Sequence, residues 1–170
     1  MKKLFFLIGS SGAGKTTAAK SIEAMNLKDF VMYYSDSMPV PPLEEMMKEY
    51  GGQEEWQRGS TNRWVKKIKE EYLNDKDVLF DTQSRPSFID EACEKNGITN
   101  YEIILFDCSD EERKRRLVKE RNQPELANEQ MMNWAKYLRE RCIGRNHKIV
   151  DNTDWEPKQT LGRLLKIMGR

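Results

Sequence analysis

Short runs of consecutive apolar residues alternate along this chain with longer stretches whose apolar positions recur every three or four residues. The short runs are Leu4–Ile8, Phe30–Tyr34, 78–80, 102–106 and 148–150, each rich in aromatic or aliphatic side chains. They read as five strands. Between them, 15–25, 61–73, 87–96, a segment starting at Asp110, 128–145 and 157–168 carry helical spacing. In 61–73 the residues Trp64, Val65, Ile68, Tyr72 and Leu73 share one face, which marks them as core. The alternation predicts an α/β protein with a parallel sheet flanked by helices.

Punctuation sharpens the boundaries. Gly97 stands where a helix over 87–96 should stop, and Ser109 followed by Glu112 is the capping box of a strongly basic helix. Two stretches break the rhythm. Residues 37–60 hold Met-Pro-Val-Pro-Pro, a short helix candidate at Leu43–Tyr50 and Gly51-Gly52, so they read as an inserted excursion, extending to about residue 63 where it contributes to a pocket. Residues 122–128 form a short loop after the basic helix, and 119–128 is the expected lid. No repeat or linker divides the chain, and 170 residues suit one domain spanning 1–170.

Composition removes several function classes. The chain has 29 basic and 28 acidic side chains, so it has no overall positive field to hold a long polyanion. Cys93, Cys108 and Cys142 are odd in number and lack metal-binding spacing, which predicts free thiols in a reducing cytosol and a cytoplasmic protein. The apolar run at Leu4–Ile8 is too short for a signal peptide, and no stretch has the roughly 20 apolar residues that span a bilayer. No membrane association is expected.

One motif carries chemistry on its own. Gly9-Ser10-Ser11-Gly12-Ala13-Gly14-Lys15-Thr16 satisfies GxxxxGK[ST], with an apolar strand before it and a helical segment after it. Gly9, Gly12 and Gly14 let successive backbone N–H groups converge on phosphate oxygens, and the following helix turns its N-terminus toward the anion. Lys15 is expected to reach the terminal phosphates and Thr16 to place its hydroxyl on Mg2+; Ser10, Ser11, Ala13 and Thr17 offer supporting contacts. The residues therefore predict a nucleoside-triphosphate site. The Asn-Lys-x-Asp guanine signature of small GTPases is not present.

With these features in place, the chain resembles the small P-loop kinases, the family of nucleoside-monophosphate, shikimate and gluconate kinases, across nearly its whole length in element order. The resemblance implies a P-loop NTPase three-layer α/β/α fold with a five-stranded parallel sheet ordered 2-3-1-4-5, and ATP with Mg2+ as cofactors. Adenylate kinases carry an Asp, three residues and an Arg at the end of the third strand, similar to Asp81 and Arg85 here. By that likeness Asp81 orients Mg2+ through water and Arg85 clamps a phosphate. Shikimate and gluconate kinases keep an aspartate after the second strand, which makes Asp36 the candidate base for an acceptor hydroxyl. Their second Asp is replaced here by Tyr34, and the Arg that holds a monophosphate in adenylate kinases is replaced by Pro39. Arg58 or Arg63 could stand in for it. Arginines after the fourth strand close over the phosphates in that family, which implies Arg116 and Arg121. Arg113 and Lys114 read as a solvated face. Asn152, in the turn after the last strand, is placed beside the adenine. Arg139, Arg141 and Arg145 read either as phosphate contacts or as an exposed basic face, and His147 as structural or surface.

The expectation is an ATP-dependent kinase, monomer or homodimer, acting on a small hydroxyl-bearing metabolite or nucleoside-type acceptor. A 5'-hydroxyl polynucleotide kinase shares the strand-end base, an Asp-Thr pair like Asp81-Thr82 and an arginine-rich helix, so a nucleic-acid end is an alternative that is not favoured. Nucleoside-monophosphate kinase activity is a third reading, disfavoured by Pro39. From a different class, a nucleotide-dependent ATPase or switch protein shares the phosphate loop.

Overall fold

The computed structural model describes residues 1–35 and 40–170. Five strands form one parallel sheet, β1 (Leu4–Ile8), β2 (Phe30–Tyr34), β3 (Asp77–Asp81), β4 (Tyr101–Asp107) and β5 (Lys148–Asp151), in the order β2-β3-β1-β4-β5. The central strand β1 pairs with β3 from Leu4 opposite Val78 to Leu7 opposite Asp81, and with β4 from Leu4 opposite Tyr101 to Ile8 opposite Leu105. All five residues of β1 are buried, as a strand covered on both faces requires.

Alternation along the strands sends side chains into two separate cores. Leu4, Phe6 and Ile8, with Val78 and Phe80, pack against Trp64, Val65 and Ile68 of α3 (Gln53–Glu71), Ile89 and Cys93 of α4 (Pro86–Lys95) and Leu138 of α6 (Glu129–Gly144). Phe5, Leu7 and Phe106 face the other way, onto Ala18 and Ile22 of α1 (Lys15–Ala24) and Leu164 of α7 (Pro157–Ile167). The result is a three-layer α/β/α sandwich with the expected strand order. Phe80 sits among aromatic rings, with centroids 5.9 Å from Phe6, 5.8 Å from Tyr33 and 6.0 Å from Trp64.

The excursion is more regular than its glycines and prolines suggest. After α2 (Leu43–Tyr50), helix α3 begins at Gln53 and runs through Gly59, eight residues before the expected start at Thr61. Glu54 and Glu55 favour its first turn through the helix dipole, and the hydroxyls of Ser60 and Thr61 bond back to the Gln57 carbonyl at 3.1 and 2.7 Å. Packing of Trp64, Val65 and Ile68 into the core offsets a mid-helix glycine, a cost of about 1 kcal/mol. After β4, Ser109 caps α5 (Asp110–Arg115) by accepting from the Glu112 N–H at 3.2 Å, one half of the expected capping box, while its own N–H donates to the Thr153 hydroxyl at 2.8 Å rather than to Glu112. The helix then widens into a π turn over Arg116–Glu120, and a short 3-10 turn at Pro124–Leu126 leads to the Asn128 cap of α6. Among the described residues, no helix is long and apolar enough to cross a membrane.

Cys93, Cys108 and Cys142 are free thiols with at most 1% of their surface exposed. Burial pushes Cys93 and Cys142 up to about 12 and raises Cys108 as well. Because the thiolate is the reactive species, a disulfide-exchange reagent at mildly alkaline pH should label no cysteine in the folded protein within minutes and all three in denaturant. Rapid labelling under native conditions would contradict the packing.

Candidate active site

The C-terminal ends of β1, β3 and β4 converge on the loop between β1 and α1. Gly9 has φ 153°, and a Cβ there would stand 2.6 Å from the carbonyl oxygen of Phe106, so any other residue would push β1 and β4 apart. At Gly12 (φ 80°), a Cβ would crowd Arg113 and Leu117 of the following basic helix to 3.2 Å. The loop closes through the Ala13 N–H to the Ser10 carbonyl at 3.3 Å, and Lys15 folds its Nζ back onto the Gly9 carbonyl at 2.9 Å. Helix α1 has Gly14 as its cap, with no side-chain cap bond and no acidic residue in its first turn. Its N-terminal amides thus face the loop with no acidic side chain of the helix's own first turn to compete, which suits a phosphate.

Behind the loop lies a polar brace. Arg113 is fully buried and forms a 2.7 Å ion pair with Asp107 at the end of β4. It also donates to the Ser10 hydroxyl, to the Cys108 carbonyl at 3.0 Å and to the Ser11 carbonyl at 3.4 Å. The other oxygen of Asp107 accepts from Arg139 at 2.5 Å, and that bond raises the pKa of Arg139. Arg113 therefore corrects the reading of this side chain as solvated. The missed signal was its position four residues before Leu117, which is also buried, so both lie on the inner helix face. Arg139 likewise belongs to the brace.

Asn152, only 2% exposed, links the brace to the loop by its side chain: Nδ2 donates to the Ala13 carbonyl at 2.9 Å and Oδ1 accepts from Arg116 at 2.8 Å. Arg116 also donates to the Asn152 carbonyl at 2.9 Å and to Glu112 at 2.7 Å. The hydrogen bond from Arg115, followed by that from Arg116, holds the Glu112 carboxyl down at about 2 against the opposing effect of burial. The π turn is closed by the Arg121 N–H to the Arg116 carbonyl at 3.0 Å. In an α-helix, residues five apart point about 140° away from each other. The wider turn brings Arg116 and Arg121 toward one side.

Three cavities follow one another along this edge of the sheet. The middle one, about 330 Å³, is lined by Ser10 through Thr17 with Ser35, Asp81, Gln83, Arg116, Glu120 and Arg121. On one side it shares Gly14, Thr17, Arg116 and Glu120 with a cavity of about 470 Å³ that reaches Asn152, Trp155 and Pro157. On the other it shares Ser35 and Gln83 with one of about 550 Å³ lined by Tyr50, Trp56, Arg63, Trp64, Thr82 and Ser84.

Most of the expected site residues meet here. Ser10, Ser11, Gly12, Ala13, Gly14, Lys15, Thr16, Thr17, Asp81, Arg116 and Arg121 line the middle cavity. Asp36 and Pro39 lie outside the described residues. Arg85 is among the lining residues of none of the three cavities: it donates to Gln57 at 2.7 Å and lies over the rings of Phe88, Trp134 and Tyr137 at 5.4, 5.5 and 5.9 Å. Of the two candidate replacements for an acceptor-side Arg, Arg63 lines the third cavity, whereas Arg58 pairs with Glu91 and lies 4.4 Å over Phe88. Arg145 pairs with Asp90 at 2.5 Å and His147 stands 3.9 Å from the same carboxylate. Arg141 lies over Tyr137 at 5.2 Å.

The donors fit Mg2+. Thr16 and Asp81 offer hard oxygen ligands on one cavity, and Mg2+ binds through one or two protein groups completed by phosphates and water, so a preformed cluster of three protein ligands is not required.

No protein-family model and no curated protein matches the chain. Solved structures do match it over almost its entire length. The shikimate kinase of Acinetobacter baumannii in complex with shikimate aligns at TM-score 0.59 and 15% identity, covering 99% of this chain and 93% of that one. A gluconokinase from Sinorhizobium meliloti aligns at 0.62 and 16%, covering 98% and 95%. The thymidylate kinase of Candida albicans aligns at 0.64 and 15%, covering 99% and 91%. The chain therefore has the fold of the small P-loop kinases.

Breaking the buried pair should be costly because it leaves an unmatched charge inside the protein. Arg113→Ala is expected to lower unfolding stability by about 3–5 kcal/mol in urea titrations. Lys114→Ala, on the exposed side of the same helix, should change it little. Equal effects would mean that the brace does not hold the loop.

Proposed function

We propose that this protein is an ATP-dependent kinase that transfers the γ-phosphoryl group to a hydroxyl of a small acceptor. The observation that carries the reading is the continuity of the three cavities, with the phosphate loop, Lys15, Asp81, Arg116 and Arg121 in the middle one and Ser35 and Gln83 at its junction with the third. The base and ribose of the nucleotide occupy the cavity beside Asn152 and Trp155. The acceptor occupies the one walled by α2 and α3. The structural likeness to a shikimate kinase, a gluconokinase and a thymidylate kinase supports the same class.

In this reading the loop amides and Lys15 hold the β- and γ-phosphates, and Arg116 and Arg121 face the γ-phosphate. Thr16 and Asp81 would hold Mg2+, which would supply neutralisation of the charge that develops on the phosphates. Asp36 follows directly on Ser35, a residue shared by the donor and acceptor cavities, and is assigned as the base. The acceptor oxygen forms a bond to the γ-phosphorus as the bond from that phosphorus to the β,γ-bridging oxygen breaks. ADP leaves, and the hydroxyl proton passes to the Asp36 carboxylate. Arg85, held by Gln57 and aromatic rings, positions α3 against α4 in this scheme rather than clamping a phosphate.

The test is transfer of label from γ-labelled ATP to a panel of hydroxyl-bearing acceptors. Lys15→Ala should lower turnover at least about 10²-fold, the usual effect of removing one group that stabilises transition-state charge. Arg121→Ala should lower turnover more than ATP affinity, and Asp36→Ala should abolish transfer while leaving ATP binding in place. Parental turnover in the Lys15 variant would remove the donor site, and ATP hydrolysis stimulated by a protein partner with no acceptor labelled would favour a switch.

A further inference from the structure

The wall of the third cavity nearest the end of β3 is made of hydroxyl groups whose hydrogen-bond directions are forced. The Gln57 carbonyl can only accept, so Thr61 Oγ1 at 2.7 Å and Ser60 Oγ at 3.1 Å both direct their single protons to it. Thr61 Oγ1 can then only accept from Ser84 Oγ, 2.6 Å away. Ser84 in turn can only accept from Thr82 Oγ1 at 3.0 Å, and Thr82 also accepts from the Ser84 backbone N–H at 3.3 Å. The Gln57 side chain is committed as well: its Oε1 accepts from Arg85 at 2.7 Å and its Nε2 donates to the Gln83 carbonyl at 3.4 Å.

The four hydroxyl protons therefore remain inside the wall. Ser60, Thr82 and Ser84, all buried and all lining the cavity, can offer it only lone pairs. Such a surface binds O–H and N–H groups and disfavours the oxygens of a carboxylate or phosphate, which would face it acceptor to acceptor. The described lining residues carry one charge of each sign, Glu45 and Arg63, so the lining has no net charge. Trp56 and Tyr50 add aromatic surface suited to the C–H face of a ring.

We infer that this cavity takes a neutral, polyhydroxylated ring compound, a sugar or the sugar of a nucleoside, whose hydroxyls donate to Ser84 and Thr82, and that it rejects the carboxylate- or phosphate-bearing counterpart. The inference rests on the kinase reading for its place in a reaction, but binding tests it directly. Calorimetric titration of the full chain with ADP and Mg2+ present would use ribose, glucose, their aldonic acids, ribonucleosides and their 5'-monophosphates.

A neutral member is expected to bind at least about tenfold more tightly than its charged counterpart, the ratio that one ordinary hydrogen bond supplies. Free sugars binding as well as nucleosides would identify a sugar site; binding of nucleosides alone would identify a nucleoside site. Ser84→Ala should weaken that binding by about tenfold with ATP affinity unchanged. Should Ser84→Ala prove unfolded by thermal denaturation, Thr82→Val should show the same loss and Thr82→Ser, which keeps the hydroxyl, should restore binding. Tighter binding of the charged members, no binding of any neutral member, or parental affinity in the folded variants would overturn the inference. Binding of a neutral member without phosphoryl transfer would leave it standing and remove the kinase reading, whereas transfer to a carboxylate- or phosphate-bearing acceptor would do the reverse.

Discussion

The buried pair of Asp107 and Arg113 is the constraint on which the phosphate loop depends. A carboxylate at the end of β4 and a guanidinium on α5 lose their water together, and a buried pair of this kind is a weak source of net stability. Its consequence is positional. The same guanidinium holds Ser10 and Ser11, so the loop cannot shift without leaving a charge unmatched in the interior. Gly12 is the matching concession, because a side chain there would strike the helix that carries Arg113. Strand β4, the basic helix and the loop are thereby held as one body.

Asn152 extends that body to the other side of the loop. Its amide bridges Ala13 and Arg116, so the turn after β5 fixes both a wall of the cavity beside Trp155 and one of the cations that line the phosphate-loop cavity. Arg116 is already held by Glu112 and Asn152, which in the proposed mechanism lowers the ordering cost of contacting a nucleotide. Arg121 is exposed on the far end of the π turn. The two arginines therefore have different tasks in the proposed mechanism, a fixed contact and a closing one.

The donor half of the site was legible in the sequence because its signal is local. A strand, a glycine loop and a helix lie consecutively within Leu4–Ile8 and Lys15–Ala24, and the capping box at Ser109 marked the next helix. The five strands and their order also followed from pattern and resemblance. The burial of Arg113 did not, because its charge marks it for the surface and only the apolar residue four places on, Leu117, places it on the inner helix face. The resemblance implies a role for Arg85 from its spacing after Asp81, but spacing along a chain does not show that Trp134 and Tyr137, on a helix about fifty residues away, lie beside its guanidinium. The early start of α3 was hidden by Gly51-Gly52 and Gly59, which carry turn chemistry in isolation and are overridden here by the acidic first turn and by the packing of Trp64, Val65 and Ile68 into the core.

The acceptor half resists sequence reading for a different reason. The properties of its wall come from a chain of hydrogen bonds between residues 23 apart, Thr61 and Ser84. Serine and threonine are ambiguous as residue types, each able to donate or accept. Only the geometry removes the ambiguity, because one backbone carbonyl at the end of the chain sets the direction of every bond before it. One wall of a polar pocket is thus converted into an acceptor-only surface with no residue that advertises the fact. The proposed chemistry requires such a division along the three cavities: cations where phosphate charge collects, and lone pairs where a neutral hydroxyl-bearing ring is to be oriented toward it.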